Sequence, residues 1–304
     1  METLGILDIG TNSILSLIAQ KDGQDKIQYK GEILRSPRLG EGLARTGMIR
    51  SESLERTIEA ITLFQTSFLK NNVNDIYAAG TQVFRQAKNC MQTIEKIREK
   101  TGLSIHVLTP EQEARYSYLG ALSDIEVEGD IVVSDIGGGS TEIVSGTKNV
   151  IKKSLSINIG AVQLRDRFNA KQPVSEEIWL EIRQKTRKTI DSIKWDNIRL
   201  SSHLIGVGGT VTSLAAIHHN LKVYDPLKVH GTVLTQNQLD LMIHKMRVKT
   251  KSGLRQWLAF DPGRADIILY GSAILKNLMQ YGRFQKIQIS NYGLRHGIAI
   301  DYFS

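Results

Sequence analysis

Short apolar runs alternate with amphipathic repeats along the chain. Residues 4–9 and 14–19 are mostly apolar runs of strand length, and residues 131–133 and 143–144 repeat this arrangement further on. Apolar side chains recur at helical spacing in residues 51–71, for which Ser51 is the predicted N-cap. The alternation of strand and helix patterns predicts an α/β fold.

A glycine-rich stretch, Asp135–Glu142, joins the apolar runs at 131–133 and 143–144. Its sequence is Asp-Ile-Gly-Gly-Gly-Ser-Thr-Glu. Consecutive glycines permit φ > 0 and remove every Cβ that would keep a ligand off the backbone. Successive N–H groups in such a turn can hold phosphate oxygens. The predicted phosphate-binding residues are Gly137, Gly138, Gly139 and Ser140. Asp135 and Glu142 add two carboxylates beside that phosphate, which is repulsive unless Mg²⁺ or another divalent cation lies between them.

A second copy of the pattern, Asp8-Ile9-Gly10-Thr11-Asn12-Ser13, lies near the N-terminus. One copy alone is also compatible with a purely structural glycine-rich hairpin. Two copies imply an internal duplication with one phosphate loop in each half. The predicted phosphate-binding residues of this copy are Gly10, Thr11, Asn12 and Ser13. Together the two hairpins resemble those of the actin-like ATPase superfamily.

This resemblance implies two similar actin-like (ribonuclease-H-like) domains with an interdomain cleft onto which both loops face. With 304 residues, the chain is long enough for two domains. We predict domains at residues 1–124 and 125–304, joined near the acidic and polar residues 122–130, with the terminal helix at 297–304 packing back on the first domain.

The amino-acid composition favours a globular protein over a membrane-spanning or secreted one. Apolar residues make up 41% and charged residues 23%, as in ordinary globular proteins, and no apolar run approaches the ~20 residues that span a bilayer. The N-terminus opens on a strand pattern, so we expect no secretory signal and no membrane partner. Cys90 is the sole cysteine, so we expect a structural thiol and a reducing, cytoplasmic location.

The chain is basic, with a net charge of +8 and a pI near 9.4, which suits a polyanionic ligand. It has no zinc-finger spacing and no aromatic RNA-binding motif, so no specific nucleic acid is predicted as a partner. A glycine-rich loop with two arginines, residues 38–47, is either part of the site or an ordinary surface loop. The basic residues between 245 and 255 are predicted to form a solvated face. A homodimer is included among the expected assemblies.

Several motifs narrow the resemblance to one family. They are Asp8–Ser13, Leu39-Gly40-Glu41-Gly42-Leu43, Gly80-Thr81 with Phe84-Arg85-Gln86-Ala87, Glu113-Ala114-Arg115, Asp135–Glu142, Gly208-Gly209-Thr210, Arg264-Ala265-Asp266 and Gly293-Leu294-Arg295-His296-Gly297. In this order and spacing the chain resembles the short, two-domain members of the exopolyphosphatase/guanosine-pentaphosphate phosphohydrolase (Ppx/GppA) family. It departs from the family pattern at Gln112, where a glutamate is usual, and at Thr109-Pro110 and Gln86.

The resemblance implies Mg²⁺-dependent hydrolysis of a terminal phosphoanhydride bond, with inorganic polyphosphate as the expected substrate and guanosine pentaphosphate as the alternative. It implies that Glu113 is the catalytic base and that Arg85 binds phosphate. Asp135 and Glu142 are then the expected metal ligands. Two other functions stay open on the same fold, namely an actin-like ATPase and a non-catalytic sensor of polyphosphate or of the guanosine alarmone.

Overall fold

The computed structural model describes residues 2–73, 75–193 and 203–304. Its contacts divide the chain into two compact units: unit 1 comprises Met1–Gly120 and Leu294–Ser304, and unit 2 comprises Ala121–Gly293. The sequence placed the junction at residues 122–130, and the chain passes between the units at Gly120–Ala121 and again at Gly293–Leu294. Across the ranges described, the structure contains no helix long and apolar enough to cross a bilayer.

Unit 1 is an α/β layer structure built on one sheet. Its strands are β1 (Glu2–Ile9), β2 (Ile14–Lys21), β3 (Ile27–Arg35), β4 (Asp75–Gly80) and β5 (Ile105–Val107). Its helices are α1 (Leu43–Thr46), α2 (Ser51–Lys70), α3 (Gln82–Gln86), α4 (Cys90–Thr101), α5 (Pro110–Leu122, which continues into unit 2) and the C-terminal α13 (Leu294–Phe303). Within the described residues the sheet order is β3-β2-β1-β4-β5, with β1, β4 and β5 mutually parallel.

Strand β1 is apolar on both faces because helices cover both sides of the sheet. Leu4 and Ile6 pack in one cluster with residues of α13, while Leu7 and Ile9 pack in another with residues of α2. Gly5 makes room for the ring of Phe68, since a Cβ there would lie 2.9 Å from that ring. The strand is therefore fixed between α2 and α13, and its carboxyl end carries the first Asp-Ile-Gly turn.

Unit 2 is likewise an α/β layer structure built on one sheet. Its strands are β6 (Ile131–Ile136), β7 (Thr141–Thr147), β8 (Val150–Ile157), β9 (His203–Val207), β10 (Val233–Thr235) and β11 (Lys286–Ile289). Its helices are α6 (Ala161–Phe168), α7 (Glu176–Asp191), α8 (Gly209–His218), α9 (Pro226–Val229), α10 (Gln236–Val248), α11 (Lys251–Trp257) and α12 (Ile268–Tyr281), with a 3-10 turn at Pro262–Arg264.

The strand order of the second sheet, for the part of unit 2 that is described, is β10-β11-β9-β6-β7-β8. Read from β8, the first five strands have the order of the first sheet, and β10 is an added edge strand. In both sheets an antiparallel hairpin is followed by a third antiparallel strand on one side and by parallel strands on the other. This correspondence confirms the predicted α/β class and the internal duplication.

One local prediction was wrong. Arg50, in an extended conformation, occupies the N-cap position of α2, and Ser51 is the first helical residue, so its hydroxyl does not cap the helix. In the basic stretch from 245 to 255 the side chains of Lys245, Lys251 and Arg255 are exposed, as predicted for a solvated face, and the last two lie on helix α11. Lys249 lies over the ring of Trp257 and Arg247 over the ring of Trp179, so these cations cover aromatic surface with their side chains.

Candidate active site

The two Asp-Ile-Gly turns have the same closing geometry. In unit 1 the Gly10 N–H donates to the Ser13 carbonyl at 3.0 Å, and in unit 2 the Gly137 N–H donates to the Ser140 carbonyl at 3.0 Å. Each turn follows the central strand of its sheet at the carboxyl end, the edge at which ligands bind in α/β folds. The structure thus repeats the predicted phosphate loop once in each unit.

The carbonyl side of the unit 2 turn is held by the start of helix α6. The Ala161 N–H donates to the Gly137 carbonyl at 3.0 Å, and the Val162 N–H donates to the Gly138 carbonyl at 2.8 Å. In a trans peptide the N–H points opposite to the carbonyl. The N–H groups of Gly138 and Gly139 are therefore directed away from α6, as a phosphate-binding nest requires.

The turn of unit 1 is held in an equivalent way by the loop after β3. The Gly40 N–H donates to the Thr11 carbonyl at 2.9 Å, and the Arg38 N–H donates to the Asn12 carbonyl at 3.0 Å. By the same reasoning, the N–H groups of Asn12 and Ser13 point away from that loop. The carbonyl side of the turn is thus held by a loop in unit 1 and by the start of a helix in unit 2.

Glu113 and Arg85 are brought together in unit 1. An Arg85 guanidinium nitrogen lies 2.8 Å from Glu113 Oε2, and the Glu113 side chain is only 12% exposed. Another nitrogen of the same guanidinium donates to the Leu108 carbonyl at 2.7 Å, which fixes its orientation. Helix α3, which carries Arg85, begins beside the first turn, because the Thr81 N–H donates to the Ile9 carbonyl at 3.3 Å. The pairing joins the predicted base to the predicted phosphate-binding cation.

The neighbours of Glu113 have structural roles at the start of α5. The Thr109 N–H donates to Gln112 Oε1 at 2.9 Å, and the Gln112 N–H donates to Thr109 Oγ1 at 3.2 Å. This reciprocal pair is a capping box. Glu111 is exposed, and hydrogen bonds from its own N–H and from the Thr109 hydroxyl lower the pKa of its carboxyl. Gln112, the departure from the family pattern, is thus used for capping.

Asp135 and Glu142 are directly opposite each other on β6 and β7, so both side chains lie on the same face of the hairpin. Glu142 is only 2% exposed and accepts a hydrogen bond from Ser156 Oγ of β8 at 2.8 Å. In unit 1 the residue opposite Asp8 is Leu15, so only the second hairpin carries an acidic pair. Among the residues that the structure describes there is no group of three or more His, Cys, Asp or Glu residues placed to hold a metal. Two carboxylates suit Mg²⁺, which keeps waters and takes substrate phosphates as its other ligands.

Two further features of unit 2 lie next to this acidic pair. Gly208 has a φ of +87°, and a Cβ there would be 2.6 Å from Asp135 Oδ1. A Cβ at Gly209 would be about 2 Å from the guanidinium of Arg264, which is itself held by Asp261 at 2.9 Å. The glycines therefore allow Asp135 and Arg264 to approach the backbone closely. The glycine pair was recognisable in the sequence, but the positions of Arg264 and of Ser156 were missed because no local pattern encodes them.

The fold and these turns define an actin-like α/β protein with one backbone turn suited to phosphate in each unit. The profile of the Ppx/GppA phosphatase family matches residues 17–303. A relative from Fusobacterium nucleatum, described as a bifunctional 3-dehydroquinate synthase/phosphatase, is 31% identical over 291 residues, covering 90% of this chain and 43% of that protein. Exopolyphosphatase 2 of Mycobacterium tuberculosis is 26% identical over 308 residues, covering 97% of this chain and 96% of that protein.

Among solved structures, the Aquifex aeolicus member of the Ppx/GppA family is similar with a TM-score of 0.82 at 31% identity, covering 99% of this chain and 97% of that one. The chain therefore belongs to the Ppx/GppA phosphatase family. This confirms the resemblance and the actin-like fold class that the hairpins predicted. Enzymes of this family hydrolyse phosphoanhydride bonds.

Proposed function

We propose that this protein is an exopolyphosphatase, which releases the terminal phosphate of inorganic polyphosphate with Mg²⁺ or another divalent cation as cofactor. The observation that carries the proposal is the pairing of Arg85 with Glu113 at 2.8 Å, in which the Glu113 carboxylate is largely buried. The pair lies in unit 1, whose Asp-Ile-Gly turn directs the N–H groups of Asn12 and Ser13 outward. Such an arrangement supplies donors for phosphate oxygens and a base for water, the two requirements of phosphoryl transfer to water.

In this proposal the residues of the chain have distinct roles. In unit 1 the N–H groups of Asn12 and Ser13 and the Arg85 guanidinium are donors for phosphate oxygens. In unit 2 the N–H groups of Gly138 and Gly139 have the same role. Glu113 accepts a proton from the attacking water. While no substrate is bound, Arg85 neutralises Glu113. When the Arg85 guanidinium donates to a phosphate oxygen, it donates less to Glu113, and the Glu113 carboxylate can then accept a proton from water more readily.

Asp135 and Glu142 would hold the divalent cation, which would offset the charge of the substrate phosphates. The buried position of Glu142 and the hydrogen bond from Ser156 support this assignment, because they fix the direction of one carboxylate oxygen. A cytoplasmic location and a homodimer are part of the same proposal. The single cysteine supports the former.

Hydrolysis of guanosine pentaphosphate is the second candidate, and the joint family of both activities supports it. A phosphate-release assay on polyphosphate and on guanosine pentaphosphate, each with and without Mg²⁺, tests the proposal. We expect Mg²⁺-dependent release from polyphosphate at the higher kcat/KM. Tight binding without phosphate release would instead indicate a sensor, and release from ATP alone would indicate an ATPase.

A further inference from the structure

The arginine loop, defined here as residues 38–50, is attached to the phosphate turn of unit 1. Its Arg38 and Gly40 N–H groups hold the carbonyls of Asn12 and Thr11. Gly40 also packs against the Thr11 side chain, and a Cβ at this position would lie 2.3 Å from Thr11 Cγ2. The loop therefore has a fixed place beside the turn, which its sequence alone did not show.

The other end of the arginine loop is attached to the segment that follows Arg85. The Lys88 N–H donates to the Gly47 carbonyl at 2.9 Å. The Ile49 N–H donates to Asn89 Oδ1 at 2.9 Å, and Asn89 Nδ2 donates to the Ile49 carbonyl at 2.9 Å. The loop thus connects the phosphate turn with the end of helix α3, the two elements of unit 1 that carry predicted phosphate-binding groups.

Three cations lie on or beside helix α1, which is in the middle of this loop. The Arg50 guanidinium lies against Gly42 at the start of α1, and the Lys88 side-chain stem lies against Gly47 at its end. Arg45 lies on α1 itself, and all three cationic side chains are exposed. Both glycines have positive φ, +77° and +70°, which brings the backbone close to these side chains.

The acidic charge of the loop is already compensated. Glu41 is the only acidic residue in the sequence from 38 to 50, and its carboxylate pairs with Arg56 at 3.2 Å. The segment also contains no aromatic side chain on which a nucleobase could stack. A cluster of exposed cations without aromatic neighbours fits a repeating anion better than it fits a nucleoside.

We propose that Arg45, Arg50 and Lys88 form a second phosphate subsite, which binds the internal phosphates of a linear polyphosphate whose end lies in the turn. The inference rests on the proposed function for the position of the terminal phosphate, and it favours polyphosphate over guanosine pentaphosphate. Single exposed cations contribute little each, but several acting on one polyanion release its counterions together and make the binding strongly dependent on salt.

The test compares the triple variant R45Q/R50Q/K88Q with the matched variant K70Q/K96Q/K100Q, which removes three exposed lysines from α2 and α4 of the same unit. In the first variant we expect the KM for long-chain polyphosphate to rise about ten-fold, and the KM for tripolyphosphate to rise much less because a short chain reaches fewer cations. For single-stranded nucleic acid, each charge contact contributes roughly 0.7 to the slope of log affinity against log salt concentration. By analogy, loss of three contacts should reduce the slope of log KM against log salt concentration by about 2. An equal response to both triple variants, or an equal rise for long and short chains, would overturn the subsite.

A binding measurement separates failure of the subsite from failure of the proposed function. The probe is fluorescently labelled long-chain polyphosphate, and the proteins are Glu113→Gln and the same variant carrying R45Q/R50Q/K88Q. If the wild-type protein releases phosphate but the two proteins bind equally, the exopolyphosphatase assignment stands and the subsite is wrong. If the wild-type protein releases none but binding needs the three cations, the subsite stands and the catalytic assignment is wrong. Absence of both release and binding contradicts both.

Discussion

Gly160 lies against the carbonyl of Gly138 so closely that a Cβ at residue 160 would be 2.3 Å from the carbonyl oxygen. A related approach occurs in unit 1, where a Cβ at Gly40 would lie 2.3 Å from Thr11 Cγ2 and 3.3 Å from the Thr11 carbonyl oxygen. In each unit a glycine outside the hairpin lets another segment hold the carbonyl side of the phosphate turn. The direction of the N–H groups thus depends on residues far along the chain from the hairpin.

Replacement of Gly160 by Ala should displace the unit 2 turn, because neither the methyl group nor the Gly138 backbone has room to move independently. We expect phosphate release to fall at least ten-fold and the free energy of unfolding to fall by about 1–3 kcal/mol, the usual range for an overpacked site. Gly23→Ala is the control, since nothing lies within 4 Å of a Cβ there. Equal activity of the two variants would show that the close contact does not hold the turn in place.

Glu113→Gln should keep polyphosphate binding and lose about 10²–10⁴-fold in turnover, the usual contribution of a general base. Glu111→Gln should stay close to wild type, because Glu111 is an exposed residue at the start of α5. Single-turnover phosphate release and equilibrium binding measure the two effects separately. Similar behaviour of the two variants would remove Glu113 from the catalytic role.

Asp135→Asn and Glu142→Gln should raise the Mg²⁺ concentration needed for half-maximal activity, because each removes one charge from a two-carboxylate site. Ser156→Ala should have a smaller effect, about ten-fold, since it removes only the hydrogen bond that orients Glu142. Ser154→Ala on the same strand is the control. Titration with Mn²⁺, followed by electron paramagnetic resonance, gives a readout that does not depend on turnover. Unchanged Mn²⁺ affinity in all three site variants would argue for ligands elsewhere.

Glu32 should make the stability of unit 1 dependent on pH. Burial by itself raises the pKa of this carboxyl, but the hydrogen bond from His296 and the charge of Arg295 outweigh it and lower the pKa from 4.5 to about 2. Because the folded state binds the proton less readily than the unfolded state, the stabilisation is complete above pH 4.5 and is lost as the pH falls towards 2.

Glu32→Gln should therefore lower the free energy of unfolding by about 2 kcal/mol near neutral pH, since it leaves the 7%-exposed Arg295 without its carboxylate. The difference from wild type should narrow between pH 4.5 and pH 2. Urea denaturation across this range measures it, with the exposed Glu59→Gln as the control. A constant difference at all pH values would mean that the Glu32 charge contributes nothing.

Gln112→Ala should cost about 1 kcal/mol of stability by opening the capping box, with little change in phosphate release. Gln112→Glu, which restores the residue usual in the family, should keep both the cap and the activity. Thermal unfolding together with the phosphate assay checks both variants. A change of substrate preference in Gln112→Glu would show that this side chain acts in the site as well as in the cap.

The sequence by itself determined the two hairpins, the apolar strands that flank them and the family. Their signals are local, since a short apolar run bounded by turn residues indicates a strand buried on both faces, and consecutive glycines indicate a tight turn. The hairpin Asp135–Glu142 also determined its own acidic pair, because strand register places the two carboxylates opposite each other. The capping box of Thr109 and Gln112 is local as well, and its sequence spacing could have been recognised.

Only the tertiary structure decided how these parts become a site. Arg85 and Glu113 lie on different helices, and the pairing depends on how α3 and α5 pack in unit 1. The orientation of the phosphate turns depends on Gly40 and Gly160, which reach the turns from other segments of the chain. Such contacts join residues far apart in sequence. They depend on how side chains and backbone fit together in the packed fold, which the local sequence pattern does not encode.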